Sequence, residues 1–166
     1  MSDYSNISSR AVLVRFTATT WAARKYDKRA SKTVADVHGS ALKAVRSNKH
    51  LLADAEAHTK VINAIGNARS QFYKGTLPWG DDNWRLLPTA NFIAFTEAIR
   101  EAQANIETAL DDFIRRYPAL REIARTHLGD LYNEQEYPDP SDVRARFAWA
   151  IDYTPVPTEG DLRLDL

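Results

Sequence analysis

The chain has 166 residues, 44% of them apolar and 27% charged, which suits one globular domain with a real core. It lacks cysteine, which excludes disulfides, thiol chemistry and cysteine-ligated zinc. The formal net charge is zero, yet residues 1–50 carry ten Lys or Arg against three acids, and residues 51–166 carry twelve against nineteen. A chain this dipolar neutralises itself on folding, presents two faces to different partners, or stacks on its own copies.

No apolar run approaches the length of a membrane span. Met1 to Arg10 is polar and has no apolar signal region, so a cytoplasmic location is expected. Residues 11–20 alternate. Val12, Val14, Phe16 and Ala18 face one way; Leu13, Arg15, Thr17 and Thr19 face the other, which predicts a strand. Trp21 ends it. A basic cluster follows: Arg24, Lys25, Lys28, Arg29 and Lys32, with Tyr26 among them.

Ser31 or Thr33 caps a helix predicted over 32–73. Gly39 weakens it, and Ser47-Asn48 either breaks it or lies inside it. Its proposed seam is Leu51, Ala55, His58, Ile62, Ile65, Arg69 and Phe72. Residues 75–88 then interrupt the helix with Gly75, Pro78, Gly80 and Pro88. The same stretch holds Leu77, Trp79, Trp84, Leu86 and Leu87, with Asp81, Asp82 and Asn83 at a polar apex. Either the two Trp rings plug the end of a hairpin, or they dock a partner.

A second long helix is predicted over 89–117. Phe92, Phe95, Ile99, Ala102, Ile106, Ala109 and Phe113 recur at spacings of three and four. Tyr117-Pro118 marks a kink, or the first turn of a new helix, and a shorter amphipathic helix is predicted over 119–131. Residues 133–142 form an acidic loop. Phe147, Trp149, Ile151 and Tyr153 then alternate with small or polar residues, predicting a strand over 147–154 that Pro155 and Pro157 close. Residues 158–166, with Leu162, Leu164 and Leu166, read as a polar tail, either an edge strand or disordered.

Little here assembles a catalytic centre. His38, His50, His58 and His127 form no H-x-x-x-H or HExxH pair, and His58 sits in the apolar repeat, where it sets helix register. Asp111 and Asp112 diverge on a helix. No G-x-S-x-G elbow or glycine-rich phosphate loop is present. The chain is therefore read as non-enzymatic, with no catalytic residue, metal or cofactor.

Two segments suit binding. Trp79, Trp84, Leu86 and Leu87 offer aromatic and apolar anchors for a protein partner. Arg24, Lys25, Tyr26, Lys28, Arg29 and Lys32 offer cations for phosphates and a ring for a base. A solvated basic face paired with the acidic 130–142 region is the plainer reading of that cluster.

Several segments together resemble small uncharacterised proteins of tailed bacteriophages. They are Phe16-Thr-Ala-Thr-Thr-Trp21, Arg24-Lys-Tyr-Asp-Lys28, Thr76-Leu-Pro-Trp79, Trp84-Arg-Leu-Leu-Pro88, Tyr137-Pro138 and Val143-Arg-Ala-Arg-Phe147. The resemblance spans most of the chain. It implies a viral product in the bacterial cytoplasm and assigns no site residue.

The whole reads as one α+β, helix-dominated domain. A long antiparallel helical hairpin, a coiled-coil-like arm, rises from a small antiparallel sheet of the N- and C-terminal strands. The imperfect seam and minimal sheet suggest a homo-oligomer. The function expected is interaction or scaffolding on a host or phage protein, with nucleic-acid binding through residues 24–32 as the alternative.

Overall fold

The computed structural model describes residues 7–80 and 82–158. Strand β1 (Ala11–Thr19) runs through the centre of a four-stranded antiparallel sheet, ordered β4-β5-β1-β6. Its outer neighbours are β6 (Ala148–Pro155) on one side and β5 (Arg85–Pro88) on the other; β4 (Leu77–Pro78) borders β5. The terminal strands pair as expected, in unbroken register from Val12↔Pro155 to Thr19↔Ala148. The alternation in β1 explains its two faces. Val12, Val14, Phe16 and Ala18 pack on the main core, while Ala11 and Leu13 enter a smaller cluster on the opposite face.

Helices α2 (Glu56–Lys74) and α3 (Phe92–Leu128) form the antiparallel hairpin. Phe72 meets Phe95 at one end (ring centroids 6.3 Å), and His58 meets Phe113 towards the other (5.4 Å). The fold is thus α+β and helix-dominated, with a small antiparallel sheet. The hairpin is no free arm, because the sheet lies along it. Phe16 of β1 packs on Phe72 at 6.1 Å, and Trp21, just past β1, packs on Phe113 at 6.4 Å and Tyr117 at 5.8 Å.

Three expected segments differ. The 32–73 helix is two helices: α1 (Lys28–Val37), then α2, separated by a 3-10 turn at Leu42–Ala44 and strand β3 (Asn48–His50). Gly39 takes φ +61°, a left-handed conformation that stops α1. Leu51 and Leu52 are buried, but as extended chain ahead of α2.

The two helices placed at 89–117 and 119–131 are one, α3, with Pro118 inside it. Its 37 residues reach about 55 Å at 1.5 Å each. Proline in a helix interior costs about 3 kcal/mol. Here Tyr117, Leu120 and Ala124 carry the buried stripe straight past it, which offsets that cost.

The Trp-rich connection contributes β4 and β5 to the sheet, whose Leu86 pairs with both Leu13 and Leu77. Asp81 of the expected apex and the tail residues 159–166, including Leu162, Leu164 and Leu166, lie outside the described residues.

The seam of α2 is also rotated. Its buried residues are Ala57, His58, Val61, Ala64, Ile65, Ala68 and Phe72; Arg69 is exposed and Ile62 half-buried. In α3 the buried set is Phe95, Ile99, Ala102, Ile106, Leu110 and Phe113, with Phe92 exposed and Ala109 half-buried. Ala residues along the α2 stripe let the helix axes approach closely. A short helix, α4 (Pro140–Ala145), buries Val143 and tethers to α3 through Arg144, which bonds Glu107 at 2.9 Å and Asp111 at 2.6 Å.

Candidate nucleic-acid interface

Residues 24–50 stand off the body as a small lobe: strand β2 (Arg24–Tyr26), α1, the 3-10 turn and β3. The chain leaves and re-enters the body at adjacent positions, and Lys49 of β3 adds a tie to the Leu131 carbonyl and Glu136. On the outgoing side Trp21 is buried (6% exposed), and its carbonyl accepts from His58 Nε2 at 2.7 Å. That bond fixes the proton on Nε2 and gives the His in the apolar repeat a structural purpose. Ala23 then takes a left-handed φ of 52°. On the returning side, Leu51 N–H donates to the Ala23 carbonyl at 2.9 Å, and Tyr137 Oη donates to the Leu51 carbonyl at 2.7 Å.

Inside the lobe, β2 pairs with β3 as Arg24↔His50, Lys25↔Lys49 and Tyr26↔Asn48. Asp27 caps α1, its carboxylate accepting from Ala30 N–H at 2.9 Å. The Ser31 hydroxyl, fully buried, donates to the Asp27 carbonyl at 2.7 Å and accepts from Ser47 N–H at 2.8 Å. One hydroxyl thus ties the helix to the returning strand.

This frame leaves each of the expected basic residues open to solvent. Arg24, Lys25, Tyr26, Lys28, Arg29 and Lys32 are all exposed. Lys43 and Arg46, which the sequence reading did not single out, join them; the Arg46 guanidinium lies 5.2 Å from the centre of the Tyr26 ring. Arg24, Tyr26, Asn48 and His50 share one face of the two-stranded ribbon.

Eight Lys or Arg and two Asp fall within residues 24–50. Of the eight cations, Lys49 alone is engaged in an ion pair among the described residues, with Glu136 at 2.6 Å. The acidic loop therefore does not neutralise the cluster. Its Glu134 is taken by Arg121 at 3.1 Å and Arg125 at 3.6 Å, and its Glu136 by Lys49.

The four residues expected to meet a protein partner are split. Leu87 is wholly buried in the main core and touches no solvent. Trp79, Trp84 and Leu86 are half-buried on the outer sheet face, against Ala11, Leu13 and Val156. The Arg15 guanidinium sits 4.6 Å from the Trp84 ring centre and bonds Asp152 at 3.1 Å. These rings close a second small core, so they do not form a free tip.

Comparison with family models, curated proteins and solved structures returns no match. Among the described residues, no helix is long and apolar enough to cross a membrane, and no three His, Asp or Glu gather as a metal site.

A groove of about 620 Å³ lies on the hairpin, lined by Lys60, Asn105, Thr108, Asp111, Asp112 and Arg115. Its charges serve one another. Asp112 accepts from Arg115 and Arg116, which hold its carboxyl below the usual carboxylate range, and Asp111 is held by Arg144.

Proposed function

We propose that this protein binds nucleic acid through the β2–α1–β3 lobe, as a non-enzymatic binding protein. The observation that carries this reading is the exposed set Arg24, Lys25, Lys28, Arg29, Lys32, Lys43 and Arg46, none of which is in an ion pair among the described residues. Unpaired surface cations neutralise phosphates and release their counterions. Tyr26, flanked by Arg46, supplies a ring on which an unstacked base can lie, which favours single strands. Within the same proposal, the motif resemblance to tailed-phage proteins favours phage or host DNA in the bacterial cytoplasm as the target.

The test is a titration of labelled single- and double-stranded DNA at two salt concentrations. Contacts from five to seven cations give a slope of log K on log salt of roughly −4 to −6 for duplex. Neutralising Lys25, Lys28 and Arg29 together flattens that slope by about 3. Tyr26→Ala weakens single-strand binding about tenfold or more and leaves duplex binding less affected. Absence of binding at low salt, or binding that the neutral variant retains in full, overturns the reading.

A second reading, a scaffold that meets a host or phage protein, has one observation in its favour. Trp79, Trp84 and Leu86 keep part of their surface open. Trp79→Ala with Trp84→Ala then loses the partner while staying folded. Early melting of that variant assigns the rings to the core instead.

A further inference from the structure

We infer that β6 is a self-association edge, and that two copies join through it into one eight-stranded sheet. Among the described residues β6 hydrogen-bonds to β1 alone, and no described strand pairs with its other edge. Natural sheets guard such an edge with a short strand, a lysine, an inward charge, a proline or a bulge. β6 lacks these guards through most of its length. It has eight residues, its register with β1 runs without an inserted residue, and proline appears only at its last position. Its one charge, Asp152, is already held by Arg15.

The surface beside the edge is apolar. Tyr153 is 48% exposed, and Phe92, 6.2 Å from it ring to ring, is 42% exposed. Together with the strand edge, these two rings offer a partner copy apolar surface to cover.

The residues of β6 select a second copy as the occupant, because the strand complements itself in one register. A two-fold axis through Ile151, perpendicular to the sheet, sets Ile151 against Ile151 of the other copy. It also sets Trp149 against Tyr153, Ala150 against Asp152, and Ala148 against Thr154. Both aromatic pairs lie on the helix-facing side, where aromatic cross-strand pairs stabilise a sheet. Moving the axis one residue to Asp152 opposes two carboxylates and brings Pro155 against Trp149, which β-pairing disfavours. A flipped arrangement, with the axis in the sheet plane, turns one copy's core side to the other's outer side.

The experiment is sedimentation of the full chain through the micromolar range, where the mass rises from 18.8 kDa to twice that value. Ala150 is exposed and faces Asp152 of the other copy twice in the symmetric pair. Ala150→Asp therefore raises the dissociation constant roughly tenfold, and Ala150→Lys lowers it.

Because the chain has no native cysteine, Ile151→Cys reports the register directly. Its Cα atoms meet across the axis at about 4.5–5.5 Å, within disulfide reach, so oxidation links the dimer. Ala148→Cys does not link. A full chain that stays at 18.8 kDa throughout overturns the inference. So does a 1–158 truncation that dimerises when the full chain does not, since the chain's own tail then holds the edge. Indifference of the dimer to both Ala150 variants, or linkage at Ala148 in place of Ile151, also overturns it.

Discussion

Replacing Trp21 with Ala tests the point where sheet, hairpin and lobe meet. The side chain is 6% exposed, and its ring touches His58, Phe113 and Tyr117. A Trp buried to this degree removes about 150 Å² more apolar surface from water than an Ala in its place, or about 4 kcal/mol at 25 cal/mol per Å². That figure agrees with the roughly 3–5 kcal/mol measured for large aromatic truncations in cores. Unfolding entropy near 2.1 cal/mol/K per residue gives about 0.35 kcal/mol/K for this chain, so Tm falls by about 11 °C.

Thermal melting followed by circular dichroism at the helix band reads that shift, and Trp21→Phe, which keeps a ring, falls by less than half as much. Hydrogen exchange adds a second readout, because amides of residues 24–50 then lose protection along with the neck. A Tm drop under about 3 °C would show that the ring carries little packing and that the three-way junction lies elsewhere.

Other outcomes follow from single contacts. Tyr137→Phe leaves the Leu51 carbonyl without its phenol donor and costs about 1–2 kcal/mol in chemical denaturation, with faster exchange at Leu51 and Leu52. Burial pushes the Tyr117 and Tyr137 phenols up to about 12. Their folded-state affinity for the proton exceeds that of the unfolded chain, near 10, so stability is full below pH 10 and falls as pH climbs to 12. Tyr137→Phe flattens the alkaline limb of a stability–pH curve. Gly75→Ala places a Cβ 2.7 Å from Phe95 Cδ2, a ring 3% exposed with nowhere to retreat; denaturant unfolding then shows a loss of about 1–3 kcal/mol.

The terminal strands were legible because their alternation is long and one face is apolar; slipping either by one residue would turn Phe16 or Ile151 to water. The α3 stripe was legible for the same kind of reason, with Phe95, Ile99, Ala102 and Ile106 at true helical spacing. Beyond Ile106 a strict seven-residue repeat drifts off a 3.6-residue helix, so Leu110 replaces Ala109 in the core.

The α2 seam was misread because Ile62 and Arg69 drew more weight than Ala57, Ala64 and Ala68, although small residues are what bring two helices together. β5 was missed because four residues give too little alternation to register. Its Leu86 and Leu87 face opposite sides of the sheet, so half of an apolar cluster taken for a docking surface is core. The basic segment was visible as composition. Its accessibility was not, because that depended on Arg121 and Arg125 engaging Glu134 from a helix far along the chain.

The hydrogen bond between Leu51 N–H and the Ala23 carbonyl closes residues 24–50 into a cassette. Their entry and exit lie side by side, so exchanging or shortening the insert leaves the register of β1 with β6 untouched. A module attached in this way can change in length and charge while the sheet and the hairpin keep their packing.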